Sequence, residues 1–276
     1  MPKIPDDIEF LVTSDHRVAV LYALTKGPSD RDVLRSVSGA SSPTMSRVLT
    51  DFEKRNWIKR EGNTYQLTGL GEFVADCLDE FVKAMTVEHQ LRDIWQWLPH
   101  EFDGFSADLF TDVSVTRPSP GYPDELIERR IELITQTSTW RGVGVAMLGL
   151  RTLETAFDRF LDKEDSFHCE YIYPPAVFEE LLSWGDTETI LDAADSDSYT
   201  VLIHDDLPID ERYEISLFDE CVTICCYDHE KGGLAALVET TSHDLRTWAE
   251  SYYDRYRVEA QPLEAVYDRN SLTSLD

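Results

Sequence analysis

Ser42, Thr44, Ser46 and Arg47 stand at the head of the stretch SSPTMSRVLTDFEKRNWIKREGNTYQLTGLG, residues 41–71, with Lys54, Lys59, Arg60 and Asn63 following. Hydroxyls, an amide and a guanidinium are the groups that hydrogen-bond base edges, and lysines and arginines are those that neutralise phosphates. The local charge points the same way. Residues 31–60 hold seven basic side chains against three acidic ones, in a chain of formal net charge −28. Residues 1–75 balance at ten basic and ten acidic, so the whole acidic excess lies beyond residue 75. On that background a neutral segment is the part of the chain able to approach a polyanion. Double-stranded DNA is the expected partner.

Other constellations carry less. His229 and Lys231 begin an H-x-K-x4-D pattern, the phospholipase D arrangement in which His is the nucleophile and Asp orients it, but position 236 is alanine. Gly142, Gly144 and Gly149 fall in or beside a strand candidate, which is not the strand–glycine loop–helix order that cradles a phosphate. Neither G-x-S-x-G nor H-E-x-x-H occurs. Cys221, Cys225, Cys226 and His229 cluster in sequence. In a strand, however, Cys221 and Cys225 share one face and Cys226 takes the other, so the four cannot easily meet one metal. These thiols read as small buried hydrophobes, with a redox-sensing thiol as the alternative. Trp140, Tyr171, Tyr173 and Trp184 read mainly as core, with pocket lining as the alternative. No enzymatic activity, metal or cofactor is expected.

The elements that must position the basic segment follow from apolar spacing. Val18, Leu21, Tyr22 and Leu24 mark a helix ending near Gly27-Pro28. Ser29 is placed to cap a second helix carrying Val33, Leu34 and Val37, which stops at Gly39. Ser42 followed by Pro43 reads as an N-cap and a first-turn proline. The third helix buries Met45, Val48, Leu49 and Phe52, leaving Thr44, Arg47, Asp51 and Lys54 outward and Ser46 and Thr50 at the flanks. WIKR and TYQL then read as two strands around a Glu61-Gly62-Asn63 turn, with Lys59 and Arg60 beside it.

A recognition helix followed by a basic hairpin is the plan of a winged helix. Residues 10–75 resemble winged helices of the ArsR and MarR type and those of many archaeal regulators: Thr44, Ser46 and Arg47 open the recognition helix, DFEKRNWIKR leaves it, and YQLTGLG leads out. The resemblance implies groove contacts at Ser42, Thr44, Ser46 and Arg47 and wing contacts at Lys59, Arg60 and Asn63. Winged helices also serve as protein-binding modules, which is the alternative reading.

From Thr68 to Leu98 the apolar residues Leu70, Val74, Cys77, Phe81, Ala84, Leu91, Trp95 and Leu98 alternate by four and three, broken at Glu88. One long helix or two consecutive ones, ended by Pro99, would present a seam for a partner helix. A homodimer contacting through Val74, Phe81, Leu91 and Trp95 is expected.

Beyond a turn-rich stretch at 102–123, helix and strand patterns alternate. Helices are expected over 124–137, 150–164, 176–185, 187–194 and 242–260, the last capped by Ser242, and strands over 140–148, 167–175, 199–206, 213–220, 221–228 and 234–241. The layout, with ELIERRIELI, WRGVGVAML, EYIYPPAVFEELL and GLAALVETTSHDLRTWAESYYDRYR, is similar to the middle or C-terminal domain of archaeal regulators related to a methanogenesis regulatory protein. It also resembles the phospholipase-D-like sensor domain of TrmB-type regulators. The resemblance implies a sensing or dimerising module, compatible with a small-molecule effector. The expected class is α+β: a winged helix-turn-helix at 1–75, a connector helix at 76–98 and an acidic α/β sensor-type domain at 99–276.

High Asp and Glu with only seven lysines resembles proteins of salt-loving archaea. In molar salt the Debye length is about 3 Å, which makes such a surface tolerable. No run approaches the ~20 apolar residues of a membrane helix, and MPKIPDDIEF lacks a signal peptide's apolar core. Five cysteines in 276 residues fit reduced thiols rather than a disulfide framework. A cytoplasmic protein without membrane contact is expected.

Overall fold

Asp30 opens the first ordered turn of the basic segment: its carboxylate accepts the backbone N–H groups of Asp32 and Val33, 2.9 Å each, and so caps a helix at Arg31–Ser38. Ser29, the expected cap, instead sits one residue outside and pairs with Tyr65 in a small sheet. The carboxylate is the charged acceptor at the positive end of the helix and displaces the hydroxyl from that role. The computed structural model describes residues 4–119, 121–122, 124–145, 150–162, 166–184, 187–208, 213–228 and 233–268. The chain divides into two compact units, residues 1–86 and 87–276.

The first unit contains α1 (Ile4–Val12), α2 (Asp15–Thr25), β1 (Ser29–Asp30), α3 (Arg31–Ser38), α4 (Ser42–Lys54), β2 (Ile58–Glu61), β3 (Thr64–Leu67) and the start of α5 (Gly69–Leu91). Gly39 ends α3 at φ 67°, the left-handed turn that glycine takes without penalty. The cap of α4 is Ser41 rather than Ser42: its hydroxyl accepts from Thr44 N–H, and Ser42 and Pro43 are the first two helical residues. Proline fits there because the first-turn N–H groups have no intrahelical partner anyway. Asn56, at φ 56°, ends α4, with Trp57 N–H returning to the Phe52 carbonyl at 3.0 Å. That reversal launches the β2–β3 hairpin, antiparallel in the order β1-β3-β2. Met45, Val48, Leu49 and Phe52 lie in one core with Leu21, Leu34, Trp57 and Ala75. Gly71 packs so tightly that a Cβ there would lie 1.9 Å from the Trp57 carbonyl oxygen, which fixes α5 against the hairpin base.

In the second unit the sheet order is β11-β7-β6-β5-β8-β9-β10-β4. Its strands are β4 (Ser114–Thr116), β5 (Thr139–Gly144), β6 (His168–Tyr173), β7 (Tyr199–Ile203), β8 (Tyr213–Phe218), β9 (Val222–Asp228), β10 (Gly233–Thr240) and β11 (Gln261–Pro262). β5, β6 and β7 are parallel, whereas β8, β9, β10 and β4 run antiparallel from β5 outward. The helices are α6 (Glu125–Gln136), α7 (Leu150–Leu161), α8 (Pro175–Trp184), α9 (Thr187–Ala194), α10 (His243–Glu259) and α11 (Leu263–Val266). Two cores lie on the two faces of the sheet. One joins Trp140, Tyr171, Tyr173 and Tyr199 to α6–α9, and the other joins Val143, Ile172, Ile215 and Ile224 to Leu245, Ala249 and Tyr252 of α10. The period-two alternation of strands decides which core each residue enters.

That alternation also settles the glycines and cysteines. Gly142 and Gly144 share a face of β5, and the Tyr171 ring lies over both: a Cβ on Gly142 would come within 2.2 Å of the ring and one on Gly144 within 2.7 Å. They are absent side chains that make room for an aromatic, while Gly149 lies outside the described residues. Cys225 packs with Leu126 and Leu237 on one face and Cys226 with the α10 core on the other. Cys169, Cys221, Cys225 and Cys226 are buried free thiols, and Cys77 is exposed. Trp140, Tyr171 and Tyr173 are core residues; the side chain of Trp184 and all of His229 and Lys231 lie outside the described residues.

A buried ion pair crosses from α6 to the sheet. Arg130 donates to both carboxylate oxygens of Glu214, at 2.8 and 2.6 Å, and both side chains are essentially inaccessible. Ser216 and Tyr227 hydroxyls donate to the same carboxylate at 2.8 and 3.0 Å, and Trp140 Nε1 donates to Ser216 Oγ at 2.9 Å. Four hydrogen bonds thus satisfy the buried carboxylate, while Arg130 Nε has no partner among the described residues.

Candidate nucleic-acid interface

α4 sorts its side chains sharply. Met45, Val48, Leu49 and Phe52 are buried, while Ser42, Ser46, Arg47, Thr50 and Lys54 are exposed and Thr44 is half-buried. Thr44 shares a 2.8 Å hydrogen bond with the Ser41 hydroxyl, so its side chain belongs partly to the cap. Arg47 is exposed and forms no ion pair among the described residues. Lys54 lies 3.7 Å from Asp51 and offsets that carboxylate, while Glu53, the other carboxylate of this helix, is exposed. Arg55 is engaged elsewhere, with Asp7 at 3.1 Å and stacked over Phe10.

The hairpin presents a second set. Gly62, at φ 61°, occupies the turn position open to glycine. Lys59 pairs with Glu61 at 2.8 Å, and that contact holds the Glu61 carboxyl below its ordinary range. Arg60 donates to the Gly62 carbonyl at 2.9 Å and lies over the Tyr65 ring. Asn63 is exposed at the tip. Between α3, α4 and the hairpin runs a groove lined by Arg31, Ser46, Thr50, Arg60, Asn63 and the carboxylates Asp30, Asp32 and Glu53. The structure thus brings Ser42, Ser46 and Arg47 together on one helix face and Arg60 and Asn63 beside them.

Sequence reasoning missed Arg31. Its Nη2 donates to Ser42 O, Ser42 Oγ and Ser46 Oγ at 2.9, 2.8 and 2.7 Å, tying α3 to the first turns of α4. The signal was a basic residue at the first position of a helix, where the dipole disfavours it unless it has another task.

The expected seam divides. On α5, Leu70, Phe73, Phe81 and Met85 are exposed along one side, with Cys77 and Ala84 between them. Val74 is half-buried against the first core. Leu91 is not on that stripe: it is 2% exposed, in the core of the second unit with Ile94 and Leu98. Leu91 is the last residue of α5, and a short 3-10 turn, Trp95–Trp97, follows it. Trp95 is exposed but stacked on His100 within its own chain.

Two family models match the sequence. Residues 5–90 match the HVO_A0261 N-terminal domain, and residues 123–259 match the middle domain of the methanogenesis regulatory protein FilR1. Both matches support a DNA-binding transcription regulator of the archaeal type. Among solved structures the chain is similar to TrmBL2, an archaeal chromatin protein, at 14% identity over 90% of this chain and 94% of that one, with a TM-score of 0.42. NucT from Helicobacter pylori is 10% identical over 55% of this chain and 98% of its own, with a TM-score of 0.42. Nuc, a phospholipase D family member from Salmonella typhimurium, is 10% identical over 54% and 96%, with a TM-score of 0.40. No curated protein matches the sequence significantly. No helix among the described residues is long and apolar enough to cross a membrane.

Proposed function

We propose that this regulator reads operator DNA in a sequence-specific manner through α4, with the hairpin laid on the phosphate backbone. The observation that carries the reading is the exposed row Ser42, Ser46, Arg47 and Thr50, set opposite the buried row Met45, Val48, Leu49 and Phe52. A helix enters the ~12 Å major groove with such a row toward the bases, where arginine pairs with guanine N7 and O6. Lys54, Lys59, Arg60 and Asn63 lie at the edges, where contacts position rather than specify. The protein works as a homodimer, supported by the exposed apolar side of α5 around Phe81: two recognition helices read the length of sequence a genome requires. Occupancy is modulated through the C-terminal unit, by an effector or by a change in pairing.

A partner protein on the same face is the second reading, favoured by Asp30, Asp32 and Glu53 in the groove. Binding of the full chain to a selected operator and to random duplex, across a salt series, separates the two. Selective binding with a steep negative dependence on salt supports DNA reading. Equal and negligible binding to both duplexes overturns it.

A further inference from the structure

The hydrogen bonding between Arg31 and α4 has a direction. A guanidinium only donates hydrogen bonds. Ser42 Oγ and Ser46 Oγ, 2.8 and 2.7 Å from Arg31 Nη2, are therefore acceptors toward it. A serine hydroxyl that accepts keeps one hydrogen of its own. No protein acceptor takes that hydrogen from either serine among the described residues, and both hydroxyls stand on the exposed row of α4 beside Arg47. Resting on the DNA reading above, we propose that Arg31 is a specificity-setting residue: it biases Ser42 and Ser46 toward donating hydrogen bonds into the groove.

The consequence is a restriction on which base edges these serines meet. A free serine hydroxyl can donate or accept, and so pairs with any base. A serine that accepts from the Arg31 cation keeps one further lone pair, but is the better donor and the weaker acceptor, so it favours guanine N7 and O6, adenine N7, thymine O4 or a phosphate oxygen over the N4 amino group of cytosine. The charge of Arg31 adds to this, because a hydroxyl polarised by a cation is the stronger donor. Neither serine could be set this way if Ser42 were the helix cap. Because Ser41 caps α4, the Ser42 hydroxyl is left for Arg31. Arg31 does not itself need to touch a base.

The test compares base preferences of the full-length protein, selected from a randomised duplex library, for the wild type, Arg31→Ala, Ser46→Ala, the double variant and Arg31→Lys. Arg31 lies on the surface of the fold, and thermal melting confirms that each variant folds. The expected result is a wild-type site with a position that disfavours cytosine. Arg31→Ala and Ser46→Ala should each relax that same position by about three- to tenfold, the range of one hydrogen bond. The double variant should lose no more selectivity than Arg31→Ala alone. Arg31→Lys, whose ammonium also only donates, should keep part of the preference that Arg31→Ala loses. Unchanged preferences with uniformly weaker binding for Arg31→Ala would make Arg31 a phosphate contact and overturn the inference alone. So would additive losses in the double variant. A wild type with no base preference at all overturns the DNA reading and this inference with it.

Discussion

Replacing Glu214 by alanine should lower the stability of the C-terminal unit far out of proportion to the removal of one side chain. The carboxylate takes two hydrogen bonds from Arg130 and one each from Ser216 and Tyr227. Removing it strands a guanidinium that is 3% exposed, with its Nε already lacking a partner among the described residues. Breaking a buried pair from one side costs about 3–5 kcal/mol. Against a domain stability of about 5–15 kcal/mol, that shifts the folded-to-unfolded ratio by roughly two to four orders of magnitude. Exposed pairs are screened at high salt and buried ones are not, so the cost should persist in molar KCl. Urea unfolding in that salt, followed by tryptophan fluorescence, reads it directly, since Trp140 is bonded to the same network. Arg130→Met combined with Glu214→Leu should recover most of the stability, because no unpaired charge is left behind. A cost below about 1 kcal/mol for Glu214→Ala, or a double variant worse than the single, refutes the account of this pair.

Arg47→Ala should cost about 1–3 kcal/mol of operator affinity and relax one base pair, measured by titration against single-base operator variants; equal weakening on random duplex would reduce Arg47 to a phosphate-binding role. Neutralising Lys59 and Arg60 together should weaken binding to all sequences and flatten the salt slope by about 0.9 for each phosphate no longer neutralised; an unchanged slope places the hairpin off the DNA. Phe81→Glu, at a residue 54% exposed, should halve the mass seen by light scattering without lowering the melting temperature, and a wild type that is monomeric at micromolar concentration rules the seam out. At neutral pH a water-soluble maleimide should modify Cys77 and spare the other four cysteines, since burial pushes Cys221 to about 11 and Cys225 to about 12; the Cys77 rate should fall as protein concentration rises and the stripe is covered.

Most of the first unit was legible because its helices carry complete apolar stripes and its hairpin has a glycine turn. The caps were misplaced by one residue each, at Ser29 against Asp30 and at Ser42 against Ser41, because adjacent residues were chemically able to cap and only the register of the following turn chooses between them. α1 was missed because Ile4, Ile8 and Val12 are exposed, so the local pattern does not report on a core. Leu91 misled for the opposite reason: helical spacing shows which residues share a side, not which core they enter. In the second unit the alternating order was readable, but β4 and β11 were not, being three and two residues long. Arg130 could have been suspected, as a charge on the stripe Leu126, Arg130, Leu133 of α6. Its partner could not, because Glu214 in YEISLF looks like an ordinary solvent-facing strand position until α6 covers it.

Residues 29 to 31 make up a joint. Ser29 and Asp30 pair with Tyr65 and Thr64 of the hairpin, Asp30 caps α3, and Arg31 grips α4. Three successive residues thus lock the β2–β3 hairpin, α3 and α4 into a single piece. A surface built this way cannot retune itself by tilting one helix against another. Its history of changing targets would be written in exchanges of outward side chains at 42, 46, 47 and 50, with the frame held constant. Related regulators could then diverge in what they bind by few substitutions and little cost in folding, whereas a change at the joint would alter the whole surface at once.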